Sequence, residues 1–197
     1  MSSGSPPQPL ISEIRQMWQA LNLTPAAPPQ AVSPLLEELR RSNVNGGAVF
    51  QAFEYEAHPV LDWFIQTRRL VPPAFDLATD FVTTKAVREA LPELEIPEHL
   101  PQPLQAHELD VFDFEASLTR RICRGGAYVT FDKTYREAQL LVAPFVDALA
   151  PEKDWPWFGL TWLPWTDWFF AVAWDMTWIG LSPQKNLLWL LCTTDTD

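Results

Sequence analysis

Residues 157–192 read WFGLTWLPWTDWFFAVAWDMTWIGLSPQKNLLWLLC, and this stretch decides the fold. Trp155, Trp157, Trp162, Trp165, Trp168, Trp174, Trp178 and Trp189 are eight of the chain's 10 tryptophans. Aromatic and β-branched side chains fit a pleated, packed surface, and the interruptions are turn formers. Strands are therefore expected near 157–163, 168–181 and 187–193. The connecting turns would be Pro164-Trp165-Thr166-Asp167 and Ser182-Pro183-Gln184-Lys185-Asn186. Connections this short join antiparallel neighbours, so the segment reads as a meander. In the middle strand Trp168, Phe170, Val172, Trp174, Met176 and Trp178 would share one face. Phe169, Ala171, Ala173, Asp175, Thr177 and Ile179 would share the other. Both faces are largely apolar, so helices must cover at least one of them. A strand of that length also calls for a bend near Asp175.

Upstream, helical signals dominate. Leu10, Ile11, Ile14, Met17, Trp18 and Leu21 recur at spacings of three and four. Thr24 to Pro34 is rich in Pro and Ala and breaks that pattern. Ser33-Pro34 opens a second helix, with Ser33 as its cap, and Asn45-Gly46-Gly47 closes it. Ala48 to Glu56 has only a half-polar strand pattern. His58-Pro59 starts a third helix, ended by Pro72-Pro73, and another short one is expected over Thr84 to Leu91. Phe112 to Arg124 reads as a helix stopped by Gly125-Gly126, followed by a short strand from Ala127 to Phe131. Asp132 or Thr134 then caps a helix to Leu149, with Pro144 kinking or dividing it. The expected class is α+β: helices on a C-terminal antiparallel meander of about three or more strands, after a mainly helical N-terminal part. The expected divisions are a flexible tail over 1–9, helices over 10–91, a Pro-rich acidic connection over 92–107 and the tryptophan-rich part over 108–197.

From Gly125-Gly126-Ala127-Tyr128, through Trp165-Thr166-Asp167-Trp168-Phe169-Phe170 and Ala173-Trp174-Asp175-Met176-Thr177, to Cys192-Thr193-Thr194-Asp195-Thr196-Asp197, the chain resembles a family of uncharacterised bacterial proteins. Those proteins end in a similar tryptophan-rich meander and Thr-Asp-Thr-Asp tail. The resemblance covers about the last 80 residues and implies one structural unit over 110–197. It implies no activity, cofactor or catalytic residue.

The chain's 197 residues carry 14 Lys+Arg against 25 Asp+Glu, a net charge of −11. An acidic chain of this kind is a poor ligand for nucleic acid, whose phosphates need a basic face. The window from Trp162 to Leu181 holds Pro164, Asp167 and Asp175, so no membrane span is expected. The first residues lack a basic and an apolar region, and Cys123 and Cys192 are too few for a disulfide framework. Together these point to the cytoplasm.

Candidate sites are few. Arg120, Arg121 and Arg124 ahead of Gly125-Gly126 could form an anion site, but cations and glycine also suit a plain helix end. Arg40, Arg41 and Gly46-Gly47 repeat the arrangement and suit either origin, duplication or shared helix-ending chemistry. Cys123, beside Arg121 and Arg124, could have a lowered thiol pKa, although a buried helix cysteine is commoner. His58, His99 and His107 are scattered, so no metal set is expected, and Asp195 and Asp197 read as a solvated acidic tail. No cofactor and no catalytic constellation is apparent. Between Arg88 and Arg120 there is no Lys or Arg, while Glu89, Glu93, Glu95, Glu98, Glu108, Asp110, Asp113 and Glu115 fall there. A field of one sign speeds encounter with a basic protein, and it also simply confers solubility. Two functions follow. The first is a small acidic protein-binding module, as an immunity or antitoxin-like neutraliser of a basic protein would be, with Glu93, Glu95, Glu98, Glu108, Asp110, Asp113 and Glu115 as the contact set. The alternative is an enzyme or carbohydrate-binding module using Trp165, Asp167, Trp168 and Asp175. Oligomeric state is not readable from the sequence.

Overall fold

The computed structural model describes residues 7–70, 75–151 and 156–196. Trp155, Pro72-Pro73, Asp197 and most of the N-terminal tail lie outside them. In chain order the elements are α1 (Ile11–Ala20), β1 (Leu23–Ala26), α2 (Val32–Ser42), β2 (Gly47–Tyr55), α3 (Pro59–Thr67), α4 (Leu77–Val82), α5 (Lys85–Ala90), β3 (His107–Leu109), α6 (Val111–Arg124), α7 (Tyr135–Leu149), β4 (Trp157–Thr161), β5 (Met176–Ser182) and β6 (Leu187–Thr194). The class is α+β. The six strands form one antiparallel sheet in the order β1-β2-β6-β5-β4-β3. The C-terminal meander β4-β5-β6 is its centre. β2 pairs along most of its length with β6, from Gly47 opposite Thr194 to Glu54 opposite Leu187. Strands from both sides of the Pro-rich connection thus share one ladder.

Period-two alternation in these strands sends apolar side chains to both faces of the sheet. On one face Phe53, Tyr55, Ile179, Leu181, Leu188, Leu190 and Cys192 pack under α1, α3, α4 and α5. On the other Phe50, Phe158, Leu160, Trp178, Leu187, Trp189 and Leu191 pack under α2, α6 and α7. Helices cover both faces, which is why the meander is so uniformly apolar. Trp178 and Trp189 have no exposed surface. By area each contributes on the order of 5 kcal/mol before the entropy of ordering is subtracted. Gly180 lies beneath the Trp189 indole, where any β-carbon would collide with the ring.

Local chemistry explains the helix ends. Thr134 and Glu137 form a capping box: the Thr134 backbone N–H donates to Glu137 Oε2 at 2.8 Å, and the Glu137 N–H donates to Thr134 Oγ1 at 3.3 Å. Asp110 caps α6 by accepting from the Asp113 N–H at 2.8 Å. His58 Nδ1 accepts from the Val60 N–H, with Pro59 opening α3.

Several expectations need correction. α2 begins at Val32, capped at Ala31 without a side-chain bond, so Ser33 lies inside the helix rather than at its cap. α7 runs undivided through Pro144. Ala127 to Phe131 is not a strand: the Gly126 N–H donates to the Val129 carbonyl, closing a tight turn. The middle strand starts at Met176, not Trp168. Over 166–175 the backbone bonds to itself: Phe169 N–H to the Thr166 carbonyl, and Asp175 N–H to the Val172 carbonyl. Ala171 occupies the left-handed region at φ 59°, which ends any extended run. β1, β3 and α4 escaped notice because Pro25 and the length of three to six residues hide their patterns.

The Pro-rich connection is not laid loosely on the surface. Leu94, Ile96 and Leu104 are buried in the first core, and the Leu104 N–H donates to Thr79 Oγ1 on α4. Asp80, half-buried on the same helix, is raised to about 6 by burial and by the neighbouring Asp76 charge. A carboxyl whose folded pKa lies above its unfolded value makes the folded state bind the extra proton, so stability falls as pH rises from about 4 to about 6. Asp80→Asn should therefore stabilise the protein at pH 7, by on the order of 1 kcal/mol after solvent screening, and change little at pH 4. Chemical denaturation at the two pH values checks this; equal effects at both would contradict it.

Candidate functional site

Two helices with different caps, Asn43 at φ −97° for α2 and Gly125 at φ 68° for α6, lead into turns that meet at one carboxylate. α2 is followed by Asn43 and then by Asn45-Gly46-Gly47. α6 is followed by Gly125-Gly126-Ala127, with Gly125 in the left-handed region at φ 68°. Asp195, just beyond β6 and with no exposed surface, lies between them. Its Oδ1 accepts from the Asn45 N–H at 3.0 Å and its Oδ2 from the Ala127 N–H at 2.7 Å. Asn45 Nδ2 also donates to the Thr196 carbonyl. The glycines permit this approach. A β-carbon on Gly46 would enter the Thr194 carbonyl, and one on Gly126 would enter the Ser42 carbonyl and the Asp195 carboxylate. The paired Gly-Gly turns do hold an anion, and the anion is the chain's own. Asp195 is thus buried and bonded, not part of a solvated tail.

Arg121 stands beside this junction, 2% exposed. Its Nε donates to Thr193 Oγ1 at 3.3 Å, Nη1 to the Gly125 carbonyl at 2.6 Å and Nη2 to Asn43 Oδ1 at 2.6 Å. Burial chiefly, then the Arg124 charge, lowers its pKa to about 10, against the pull of Asp195 and Asp175. It remains a cation at neutral pH with every named contact internal, so it offers nothing to a ligand. Arg124 instead lies over the Trp174 ring at 5.8 Å. The thiols are not activated: burial raises the pKa of Cys123 and pushes Cys192 up to about 12.

Asp175 is 1% exposed. Its Oδ2 accepts from the Val172 N–H at 3.0 Å, and its Oδ1 accepts from Thr194 Oγ1 at 2.5 Å. It closes the 166–175 loop onto the end of β6, and neither oxygen faces solvent. Trp165 donates from Nε1 to Thr177 Oγ1 and packs on Phe169, along a different recess that also includes Pro101, Leu104 and Pro164. The tryptophan–aspartate set is therefore split. Asp167 and Trp168 stay together, Trp165 opens elsewhere, and Asp175 lies inside the protein.

Asp167 and Trp168 line a cleft of about 310 Å³ with Asn45, Gly46, Glu93, Glu95, Phe170 and Thr194. Glu93 and Glu95 flank the fully buried Leu94, in a 3₁₀ turn over Pro92–Leu94 that ends with Glu95 at φ 48°. The turn plants Leu94 in the core and presents both neighbours to solvent. Phe170 is 49% exposed. Among the described residues no Lys, Arg or His lines this cleft, so three exposed carboxylates and the exposed Phe170 ring border it without a counter-charge, beside the half-buried Trp168. The remaining acids lie elsewhere. Glu108 is on the edge strand β3, three strands from β6, and Asp110, Asp113 and Glu115 are on the first turns of α6. Glu98 is exposed on the Pro-rich connection. Among the described residues no group of His, Cys, Asp and Glu is arranged to hold a metal ion.

Phe170, Asn45 and Thr194 escaped the sequence reading because their meeting depends on β2–β6 pairing across more than 130 positions. The repeated Arg/Gly-Gly/Ala arrangement was the one available signal for the Asp195 junction. No helix among the described residues is long and apolar enough to cross a membrane. No protein-family model matches the chain, and no curated protein or solved structure matches it.

The glycine geometry predicts a contrast between the two doublets. Gly126→Ala forces a backbone collision and should cost more than about 3 kcal/mol. At Gly47 a β-carbon meets only the Trp168 ring at 3.7 Å. Gly47→Ala should therefore be within about 1 kcal/mol of neutral. Urea midpoints of the two variants check this, and similar losses would contradict the close approach.

Proposed function

We propose that this chain is an acidic protein-binding module that engages a basic protein, as an immunity or antitoxin-like neutraliser does. The observation that supports it most is the cleft, which Glu93, Glu95 and Asp167 line beside the exposed Phe170 ring, with no cation among its described residues. Like charges held together repel, and a basic group from outside relieves that repulsion. The net charge of −11 adds a long-range field that speeds encounter. Aromatic rings among charged groups supply the contact area that interfaces concentrate at their centres. The other acids, from Glu98 and Glu108 to Asp110, Asp113 and Glu115, act as a steering rim around two further edges of the molecule. The cytoplasm suits such a partner, and no cofactor enters this function.

The alternative, a catalytic or carbohydrate-binding role for Trp165, Asp167, Trp168 and Asp175, has less support. Asp175 is sealed from solvent and Trp165 faces away from the Asp167 cleft.

The immobilised protein should retain a basic protein from native lysate at 50 mM salt and lose most of it at 300 mM. The triple variant Glu93→Gln, Glu95→Gln, Asp167→Asn should retain at least tenfold less. Capture that is indifferent to both salt and the triple substitution would refute the function proposed.

A further inference from the structure

We infer that the cleft between Glu93, Glu95, Asp167, Trp168 and Phe170 is a receptor for an arginine side chain of the partner, discriminating arginine from lysine; this rests on the basic-partner function above. Charge alone would not separate the two. The separation comes from the rings, which are independent of the acids. Phe170 is half exposed and, among the described residues, stacks on no other ring. Trp168 is half-buried, packed on the first core with Phe169 set nearly perpendicular to it at 86°, and its remaining surface borders the cleft beside Phe170. A guanidinium is flat and weakly hydrated, so it can lie on a ring and still direct its fork at a carboxylate. An ammonium is a compact, strongly hydrated point charge that gains less from a ring. Glu93 and Glu95 come from one turn and Asp167 from the 166–175 loop, so the carboxylates that line the cleft come from two separate segments. At about 310 Å³ the space is roughly ten times the share of liquid volume of one water, enough for the guanidinium and its stem.

The floor is prepared in advance. Asn45 and Gly46 are held by Asp195, Thr194 is bonded to Asp175, and Asp175 in turn holds Val172 of the loop that carries Asp167, Trp168 and Phe170. The buried acids thus position the walls while the solvent-facing acids stay unpaired. A site ordered before binding loses little entropy when it is filled.

Hexa-arginine and hexa-lysine peptides, fluorescently labelled and titrated at 300 mM salt to suppress diffuse attraction, provide the test. Hexa-arginine should bind at least threefold tighter. Phe170→Ala and Trp168→Leu should each weaken hexa-arginine by roughly three- to tenfold, in line with the loss of a ring–cation contact. The remote pair Glu37→Gln, Asp147→Asn, exposed on α2 and α7, should leave it unchanged. Phe170 is half exposed, so its variant stays folded even if Trp168→Leu does not, and thermal melts identify any variant to be set aside. Equal affinity for the two peptides, or indifference to Phe170→Ala, overturns the arginine inference while leaving the basic-partner function standing. Absence of binding to either peptide at 50 mM salt overturns both.

Discussion

The bidentate grip of Asp195 on two backbone N–H groups, one after α2 and one after α6, is the interaction on which the arrangement depends. The turn after α2 also meets the end of β6 through Gly47 opposite Thr194 and Asn45 Nδ2 on the Thr196 carbonyl, and α6 meets it through Arg121 on Thr193. The helices belong to one layer, on the Trp189 face of the sheet, and the strand between them is central. A carboxylate with one oxygen per turn locks the C-terminal ends of both helices to the same point. Arg121 adds three hydrogen bonds from the side, to Asn43, Gly125 and Thr193. Its charge is buried without a direct ion pair, a costly state that neutral acceptors and two nearby carboxylates offset. Arg121 and Asp195 share no hydrogen bond and are linked through the charge of Asp195 acting on Arg121.

The layout around this junction explains the division of labour among the acids. Asp175 and Asp195 are internal and build the cleft. Glu93, Glu95 and Asp167 are external and line it. The chemistry of the two sets is the same, and only their supply of donors differs. Internal carboxylates meet backbone N–H groups and a hydroxyl, whereas the external ones are exposed to solvent.

Much of this was legible in the sequence and some was not. The meander was readable because tryptophans, leucines and the turn over 182–186 follow strand chemistry, although residues 162–175, not the short turn over 164–167, join β4 to β5. Helices α1, α3, α6 and α7 were readable because their caps and apolar spacing are local. The long middle strand was misread because 168–175 alternates like a strand, yet its amides are claimed by Asp175 and by turns, and no period analysis sees that competition. The cleft was half readable. Glu93 and Glu95 stood out in a stretch without cations, and Asp167 and Trp168 stood out among the tryptophans. Their union across the β2–β6 edge is a consequence of long-range pairing. Asp195 was misjudged because a carboxylate near a chain end is normally solvated, and only the glycine approach makes it internal.

Backbone amide hydrogen exchange at Asn45 and Ala127 tests the central claim most directly. If one buried carboxylate holds both, these two amides are protected to a similar, high degree in the native protein, and Asp195→Asn accelerates both together while amides within β4 and β5 keep their protection. Exchange at the rate of open loops in the unsubstituted protein, or acceleration of only one of the two, would contradict the junction described.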